Sequence, residues 1–320
     1  MNLSKNIKKH HGVNLFSLLL VVALLMQITA LAAAQSSPEI SELANLPAGS
    51  YPSAVVYGPG QAYWVPQMNA NAIRYFQNPP EQFQMDLTAP DSIPYDAVIG
   101  PDKAVWFTEK GNASIGRITP ASSGIPITEM VEYPLEEDTA DPTQLTLTHD
   151  GRLAFTQFTA DKIGLMTTNG EQSEIVLPAG TRPLGIVNDQ DGNLWYSGWG
   201  TRTLGMITPE GELSTIPTGE TAFRPTELIR DQDGYLWVLL DNARRILRLD
   251  TRAGVISSHT IPAVLSSSFV DIALGVDGKI WLLGNESVGW FDHPLGQPQN
   301  FHELELNPRI FEGQGRAQLS

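Results

Sequence analysis

The sequence predicts an all-β chain wound into a β-propeller of six four-stranded blades. Three observations predict it. An anchor residue is followed twelve positions later by a tryptophan or its replacement, six times over: Pro52…Trp64, Pro94…Trp106, Pro142…Ala154, Pro183…Trp195, Pro225…Trp237 and Phe269…Trp281. Successive tryptophan slots are 42, 48, 41, 42 and 44 residues apart, a period that marks a repeat architecture. The apolar spacing of three and four that stacked helix pairs would need is absent.

The fourth copy shows the elements in order. Pro183-Leu184-Gly185-Ile186-Val187 is a short apolar strand, and Asp191-Gly192 is a tight turn, because both residues tolerate positive φ. The second strand, Leu194-Trp195-Tyr196, carries the tryptophan, read as packing between blades, where large aromatics belong. Leu204-Gly205-Met206-Ile207 is the third strand, and residues 213–216, stopped by Pro217, are the fourth. Asp-Gly turns recur at Asp150-Gly151, Asp233-Gly234 and Asp277-Gly278. Four strands in about 42 residues make a propeller blade.

An open ring would leave strand edges exposed. Residues 39–43 resemble a fourth strand without a repeat of its own and are expected to complete the last blade. Residues 301–306 compete for that place, and a seventh blade is the alternative if residues from Asn307 join the N-terminal strand.

Ahead of the propeller, residues 1–34 read as an export signal. Lys5, Lys8 and Lys9 precede an apolar run from Leu15 to Met26, and Ala32-Ala33-Ala34 offers a cleavage site. The competing reading is an uncleaved membrane anchor. The expected organisation is thus signal 1–34, propeller 35–306 and tail 307–320. With no cysteine, disulfides and lipidated-cysteine anchors are excluded. Loss of the signal leaves 17 basic against 35 acidic residues. Such a surface repels nucleic acid and anionic lipid, so the expected partners are a small molecule or a peptide or protein, taken by a monomer.

The segments Val105-Trp106-Phe107-Thr108-Glu109, Ser114-Ile115-Gly116-Arg117-Ile118-Thr119-Pro120 and Arg182-Pro183-Leu184-Gly185-Ile186 resemble the virginiamycin B lyase (streptogramin lyase) family, over roughly residues 39–306. The resemblance implies a β-propeller. It also implies opening of a cyclic depsipeptide by elimination, helped by a magnesium ion. In that family histidines follow the anchor proline in late repeats, a glutamate precedes it, and another glutamate lies three residues after the tryptophan. Histidine suits a base near neutral pH, and carboxylates suit a hard cation.

Those slots are filled differently here. After the anchor stand Ser53, Tyr95, Thr143, Leu184, Thr226 and Val270; before it stand Tyr51, Ile93, Asp141, Arg182, Arg224 and Ser268. No histidine and no glutamate is among them. Three after the tryptophan slot, only Glu109 matches, in an early blade. His149, His259, His293 and His302 fall on turns, outer strands or connections.

The loops around the anchor gather at one mouth of the channel, where functional residues concentrate. Tyr95, Arg182, Trp199 and Arg224 are the expected ligand-binding residues, the two arginines clamping a carboxylate or phosphate or else pairing with an acid or a carbonyl. Asp96, Glu109, Glu227 and Asp271 are the candidate ligands of Mg2+ or Ca2+, although Asp96 and Glu227 lie three blades apart. The expectation is an exported, non-catalytic binding module. The alternatives are a metal-dependent lyase or lactonase-like enzyme acting on a cyclic ester at the mouth, and a protein-interaction platform on the acidic rim.

Overall fold

In the computed structural model the described residues are 50–77, 81–120, 129–262, 269–275, 278–284, 287–291 and 301–305. The expected export signal 1–34, the strand at 39–43 and the tail 307–320 lie outside them, as does His293.

Twenty-four strands make six blades. Blade 1 holds β1 (Val56–Gly58), β2 (Ala62–Gln67), β3 (Ala72–Gln77) and β4 (Glu81–Asp86). Blade 2 holds β5 (Pro94–Ile99), β6 (Val105–Glu109), β7 (Ser114–Thr119) and β8 (Glu129–Pro134). Blade 3 holds β9 (Pro142–Leu147), β10 (Leu153–Gln157), β11 (Lys162–Met166) and β12 (Gln172–Val176). Blade 4 holds β13 (Pro183–Asn188), β14 (Leu194–Gly198), β15 (Thr203–Ile207) and β16 (Leu213–Pro217). Blade 5 holds β17 (Pro225–Arg230), β18 (Leu236–Leu240), β19 (Arg245–Asp250) and β20 (Val255–Thr260). Blade 6 holds β21 (Phe269–Leu274), β22 (Ile280–Gly284), β23 (Ser287–Phe291) and β24 (Phe301–Glu305). Each sheet is a four-stranded antiparallel meander in chain order, and the first strands of successive blades touch around the axis. No helix occurs among the described residues.

Residues 39–43 were expected in the outer place of blade 6. That place belongs to β24, which pairs with β23 from Ser287↔Glu305 to Phe291↔Phe301. A local hairpin supplies the strand more directly than a return of the N-terminus, and the ring of His302 stacks on Trp290 at 5.1 Å.

The tryptophans face the next blade. Trp64 packs with Val105 and Phe107 of blade 2, Trp106 with Leu145, Leu153 and Phe155 of blade 3, Trp195 with Leu228 and Leu236 of blade 5, and Trp237 with Phe269 and Leu282 of blade 6. Where blade 3 carries Ala154, Tyr196 of blade 4 joins the shared cluster. The last seam differs: Trp281, Leu283, Val288 and Trp290 of blade 6 form one cluster and Tyr63, Val65 and Phe76 of blade 1 another.

Each buried indole N–H needs a partner. Trp195 donates to Asp189 at 2.8 Å, Trp237 to Asp231 at 2.7 Å and Trp106 to Asp102 at 3.1 Å. Asp189 and Asp231 also order the turns that follow them, accepting from the backbone N–H of Asp191 and Asn193, and of Asp233 and Tyr235. In these turns only the glycine is left-handed (φ 82° at Gly151, 87° at Gly192, 89° at Gly234), while the aspartate before it is not. They are therefore ordinary turns closed by a left-handed glycine, not the primed turns expected from Asp-Gly.

A glycine in the third strand matches an aromatic in the second. Gly116 lies opposite Phe107, Gly164 opposite Phe155 and Gly205 opposite Tyr196. A Cβ on Gly205 would stand 1.9 Å from the Tyr196 ring. Blade 5 has no such aromatic, and there Val238 faces Leu247. Gly205→Ala is expected to lower the unfolding free energy by about 2 kcal/mol through overpacking. Adding Tyr196→Val should recover part of it, as read by urea denaturation.

Candidate functional site

The first strand of most blades bulges just after its anchor, at Pro94/Ala97, Pro183/Ile186, Pro225/Leu228 and Phe269/Asp271. A bulge leaves a backbone N–H without its ladder partner. The hydroxyl two positions after the tryptophan slot takes it: Asp96 N–H donates to Thr108, Gln144 N–H to Thr156 and Gly185 N–H to Ser197, at 2.8–3.1 Å. Those hydroxyls, all fully buried, then donate to the carbonyls of Thr143, Leu184 and Thr226 in the following blade, at 2.6–2.9 Å. The belt ties the first strands of blades 2 to 5 to one another.

One position past the belt, Asp96, Gln144, Gly185, Glu227 and Asp271 occupy equivalent places. Asp96 ties blades together: one oxygen accepts from Ala97 N–H at 2.8 Å, the other from Leu145 N–H of blade 3 at 3.0 Å. Gln144 does likewise toward Ile186 of blade 4 at 3.3 Å. Asp96, Gln144, Glu227 and Asp271 are half-buried. Burial lifts Asp96 to about 6, against the pull of the two backbone N–H groups. Asp271 rises to about 7 through burial, with the Asp96 charge adding and the Ile272 N–H subtracting. Glu227 is raised well above the ordinary carboxylate range by burial and by the charges of Asp271 and Asp96. Burial raises the Tyr95 hydroxyl strongly, and Glu227, Asp96, Asp271 and Asp141 push it further. Thus Tyr95, Asp96, Glu227 and Asp271 do share one electrostatic neighbourhood.

Glu109 does not join them. Its side chain follows Phe107 on the face turned to blade 1, where it is fully buried with neither oxygen in a well-formed hydrogen bond. Its pKa rises to about 7 through burial and the Glu132 charge, restrained by nearby Ser92 and Asn112. Strand alternation, counted from Trp106, points Glu109 into the seam and away from the mouth. Among the described residues no three of His, Asp and Glu come together as a metal site. The slots that hold the family's histidines and glutamates carry other residues here, so of the donors expected for a magnesium ion only carboxylates such as Glu227 and Asp271 would be left to hold one.

The remaining candidates form a cation–aromatic row along the mouth. Arg224 lies 3.9 Å over the Trp199 ring and donates to the Trp199 carbonyl at 3.3 Å. Trp199 packs against Phe158 at 5.6 Å, and Arg182 lies 6.0 Å over Phe158. In blade 2, Lys110 sits over Tyr95 at 5.4 Å and pairs with Asp141 at 3.3 Å. Among the described residues neither arginine makes an ion pair, so of the two expected pairings only the carbonyl bond of Arg224 forms. Phe158 was missed by the sequence reading, yet it stands four after the tryptophan slot, as Lys110 and Trp199 do. Tyr51, Ile93, Asp141 and Arg182, just before the anchor, all have φ near +50°. Side chains with a Cβ rarely adopt this conformation, which concentrates at functional loops.

A ring of six four-stranded antiparallel blades defines a β-propeller. The sequence model of the virginiamycin B lyase family matches residues 27–289, and the chain belongs to that family. Among solved structures, selenomethionine-substituted virginiamycin B lyase from Staphylococcus aureus superposes with a TM-score of 0.73 at 24% identity, over 81% of this chain and 86% of that one. A streptogramin B lyase structure gives 0.73 at 26% identity, over 82% and 85%. A catalytically inactive histidine-to-alanine variant of the Staphylococcus aureus lyase with quinupristin gives 0.70 at 26%, over 78% and 82%. None of the curated proteins matches the chain.

The raised carboxyls carry a pH dependence. A group whose folded pKa exceeds its unfolded value binds its proton more tightly when folded. Its stabilisation is complete below the unfolded pKa and is lost as pH rises through the folded one. Asp96, Glu109, Asp271 and Glu227 all shift this way. The melting temperature is therefore expected to fall from pH 5 to pH 8. Glu109→Gln should remove on the order of 3 kcal/mol of that loss, as read by denaturation at several pH values.

Proposed function

We propose that this chain is an exported propeller that binds a ligand at its channel mouth and does not perform the family's elimination. The observation that carries the reading is the content of the anchor slots. Directly after the anchor there is no histidine, and directly before it there is no glutamate. Of the histidines in described residues, His149 lies in an exposed turn, His259 on β20 and His302 on β24. In the Staphylococcus aureus lyase, replacing one histidine by alanine leaves a protein that is catalytically inactive and was obtained with quinupristin. A propeller of this family can thus keep a ligand without chemistry. Export is proposed from Lys5, Lys8 and Lys9 ahead of the apolar run and Ala32-Ala33-Ala34.

The second reading, a metal-assisted enzyme, draws on Glu227 and Asp271, carboxyls in equivalent slots of adjacent blades with raised pKa values, which are suited to proton transfer near neutral pH.

The two separate cleanly. Purified protein is incubated with quinupristin, with and without Mg2+ or Ca2+, and ring opening is followed by chromatography, because elimination leaves the mass unchanged. The expected outcome is intact quinupristin after prolonged incubation. Turnover that disappears in Glu227→Gln or Asp271→Asn would replace the binding reading by the enzyme one. For export, N-terminal sequencing of protein recovered outside the cytoplasm is expected to begin at about residue 35. A retained N-terminus would favour the anchor.

A further inference from the structure

Two blades carry a fixed cation at the start of the third strand. Lys162 stands eight residues after Ala154, and Arg245 eight after Trp237. Each meets an acid from the connection that enters its blade: Lys162 pairs with Glu137 at 2.6 Å and Arg245 with Glu220 at 3.1 Å. In blade 3 the ammonium also meets Glu174 of β12 at 2.7 Å, and Gln157 at the end of β10 donates to the same carboxylate at 2.9 Å. Gln157 reaches it across Gly164, where a Cβ would stand 2.9 Å from the Gln157 Nε2. A cation thus balances the carboxylates in this corner of the seam toward blade 2.

Blade 2 has the acids without the cation. Ser114 takes the place of Lys162, Glu109 that of Gln157 and Glu132 that of Glu174. The register is the same: Glu109 lies opposite Ser114 and Glu132 opposite Gly116, as Gln157 lies opposite Lys162 and Glu174 opposite Gly164. The exchange extends to the walls, where Ser92 and Asn112 stand in the places of Ala140 and Ala160. Glu109 and Ser92 are fully buried and Ser114 nearly so. Both Glu109 oxygens and Asn112 Oδ1 are enclosed without a well-formed hydrogen bond, although buried oxygens are ordinarily satisfied. One Glu132 oxygen accepts from Thr88 at 2.6 Å. Glu109 titrates at about 7, raised by burial and by the Glu132 charge, and is therefore mostly ionised at pH 8.

We propose that this corner of the seam between blades 1 and 2 binds a calcium ion, held by Glu109 and Glu132 with neutral oxygens from Asn112, Ser92 and Ser114, in the place that the lysine ammonium fills in blade 3. Serine in place of lysine leaves room beside the carboxylates. The donors are all oxygens, the set a hard cation takes, and a mixture of carboxylate, amide and hydroxyl suits the adaptable shell of calcium better than the strict octahedron of magnesium. Two carboxylates match the charge of one divalent ion, so the filled corner is neutral, as a buried site should be. The ion joins the connection between β4 and β5, which carries Ser92, to the sheet of blade 2. The site lies in a seam, apart from Glu227 and Asp271, and does not depend on what the mouth binds.

The full chain is stripped with a chelator and titrated with calcium chloride at pH 8 by calorimetry, with the melting temperature followed in parallel. A single saturable site is expected, with a melting temperature that rises with calcium concentration. Magnesium should bind about tenfold more weakly. Glu109→Gln should abolish both the heat and the rise. Ser114→Lys supplies the tethered ammonium of blade 3. It should raise the melting temperature in the absence of calcium and remove the response to it. Glu227→Gln/Asp271→Asn should leave the calcium response intact. Circular dichroism checks that each variant is folded. No saturable calcium heat in the wild type, or an undiminished response in Glu109→Gln, overturns the proposal. So does loss of the response in Glu227→Gln/Asp271→Asn, which would put the ion at the mouth.

Discussion

The arrangement around the axis depends on a backbone defect passed from blade to blade. A bulge frees one N–H, a buried threonine or serine accepts it, and the same hydroxyl donates to the next blade's carbonyl. Each bond of this kind contributes about 1 kcal/mol net, but leaving a buried N–H or hydroxyl without a partner costs more. The belt therefore acts less as glue than as a register. It fixes Asp96, Gln144 and Gly185 in blades 2 to 4, whereas the hydroxyl slot in blades 5 and 6 holds Leu239 and Leu283 and makes no such bond.

Most of the scaffold was legible in the sequence, because it rests on periodicity. The twelve-residue step from anchor to tryptophan, the third-strand slot and the stops at Pro134, Pro178 and Pro217 all translate into strands. What escaped depends on details that periodicity does not encode. The competition for the outer place of blade 6 turns on hairpin connectivity, which two similar apolar segments cannot decide. The turns contain Asp-Gly, but the backbone assigns left-handed φ to the glycine alone. Thr108, Thr156 and Ser197 shared a slot and could have announced the belt, had their alignment with the bulge been visible. Glu109 is the instructive failure. Its distance from Trp106 suggested the mouth, whereas counting faces along β6 puts it with Phe107 inside a seam.

The candidate site was legible in its members but not in its grouping. Arg182, Trp199 and Arg224 are linked through Phe158 into one row of ring contacts, and Tyr95 stands apart under Lys110. The four proposed metal ligands divide: Glu227 and Asp271 hold equivalent slots in adjacent blades and raise one another's proton affinity, Asp96 binds backbone, and Glu109 belongs to a seam. Shared family membership fixes the ring and its period. It does not fix what the slots carry, and here they hold neither the family's histidines nor its glutamate before the anchor.

The pairing of a third-strand glycine with a second-strand aromatic has a bearing on how such a ring can change over generations. Gly116, Gly164 and Gly205 each sit under a ring, and blade 5 shows the other solution, Val238 with Leu247. A lineage cannot move from one state to the other by enlarging the glycine first, since the new Cβ would collide with the ring. The ring must shrink first, at the cost of a transient cavity. Blade 6 holds a third arrangement, Gly289 opposite Leu282, where the ring of Phe301 from β24 fills the space a Cβ would need.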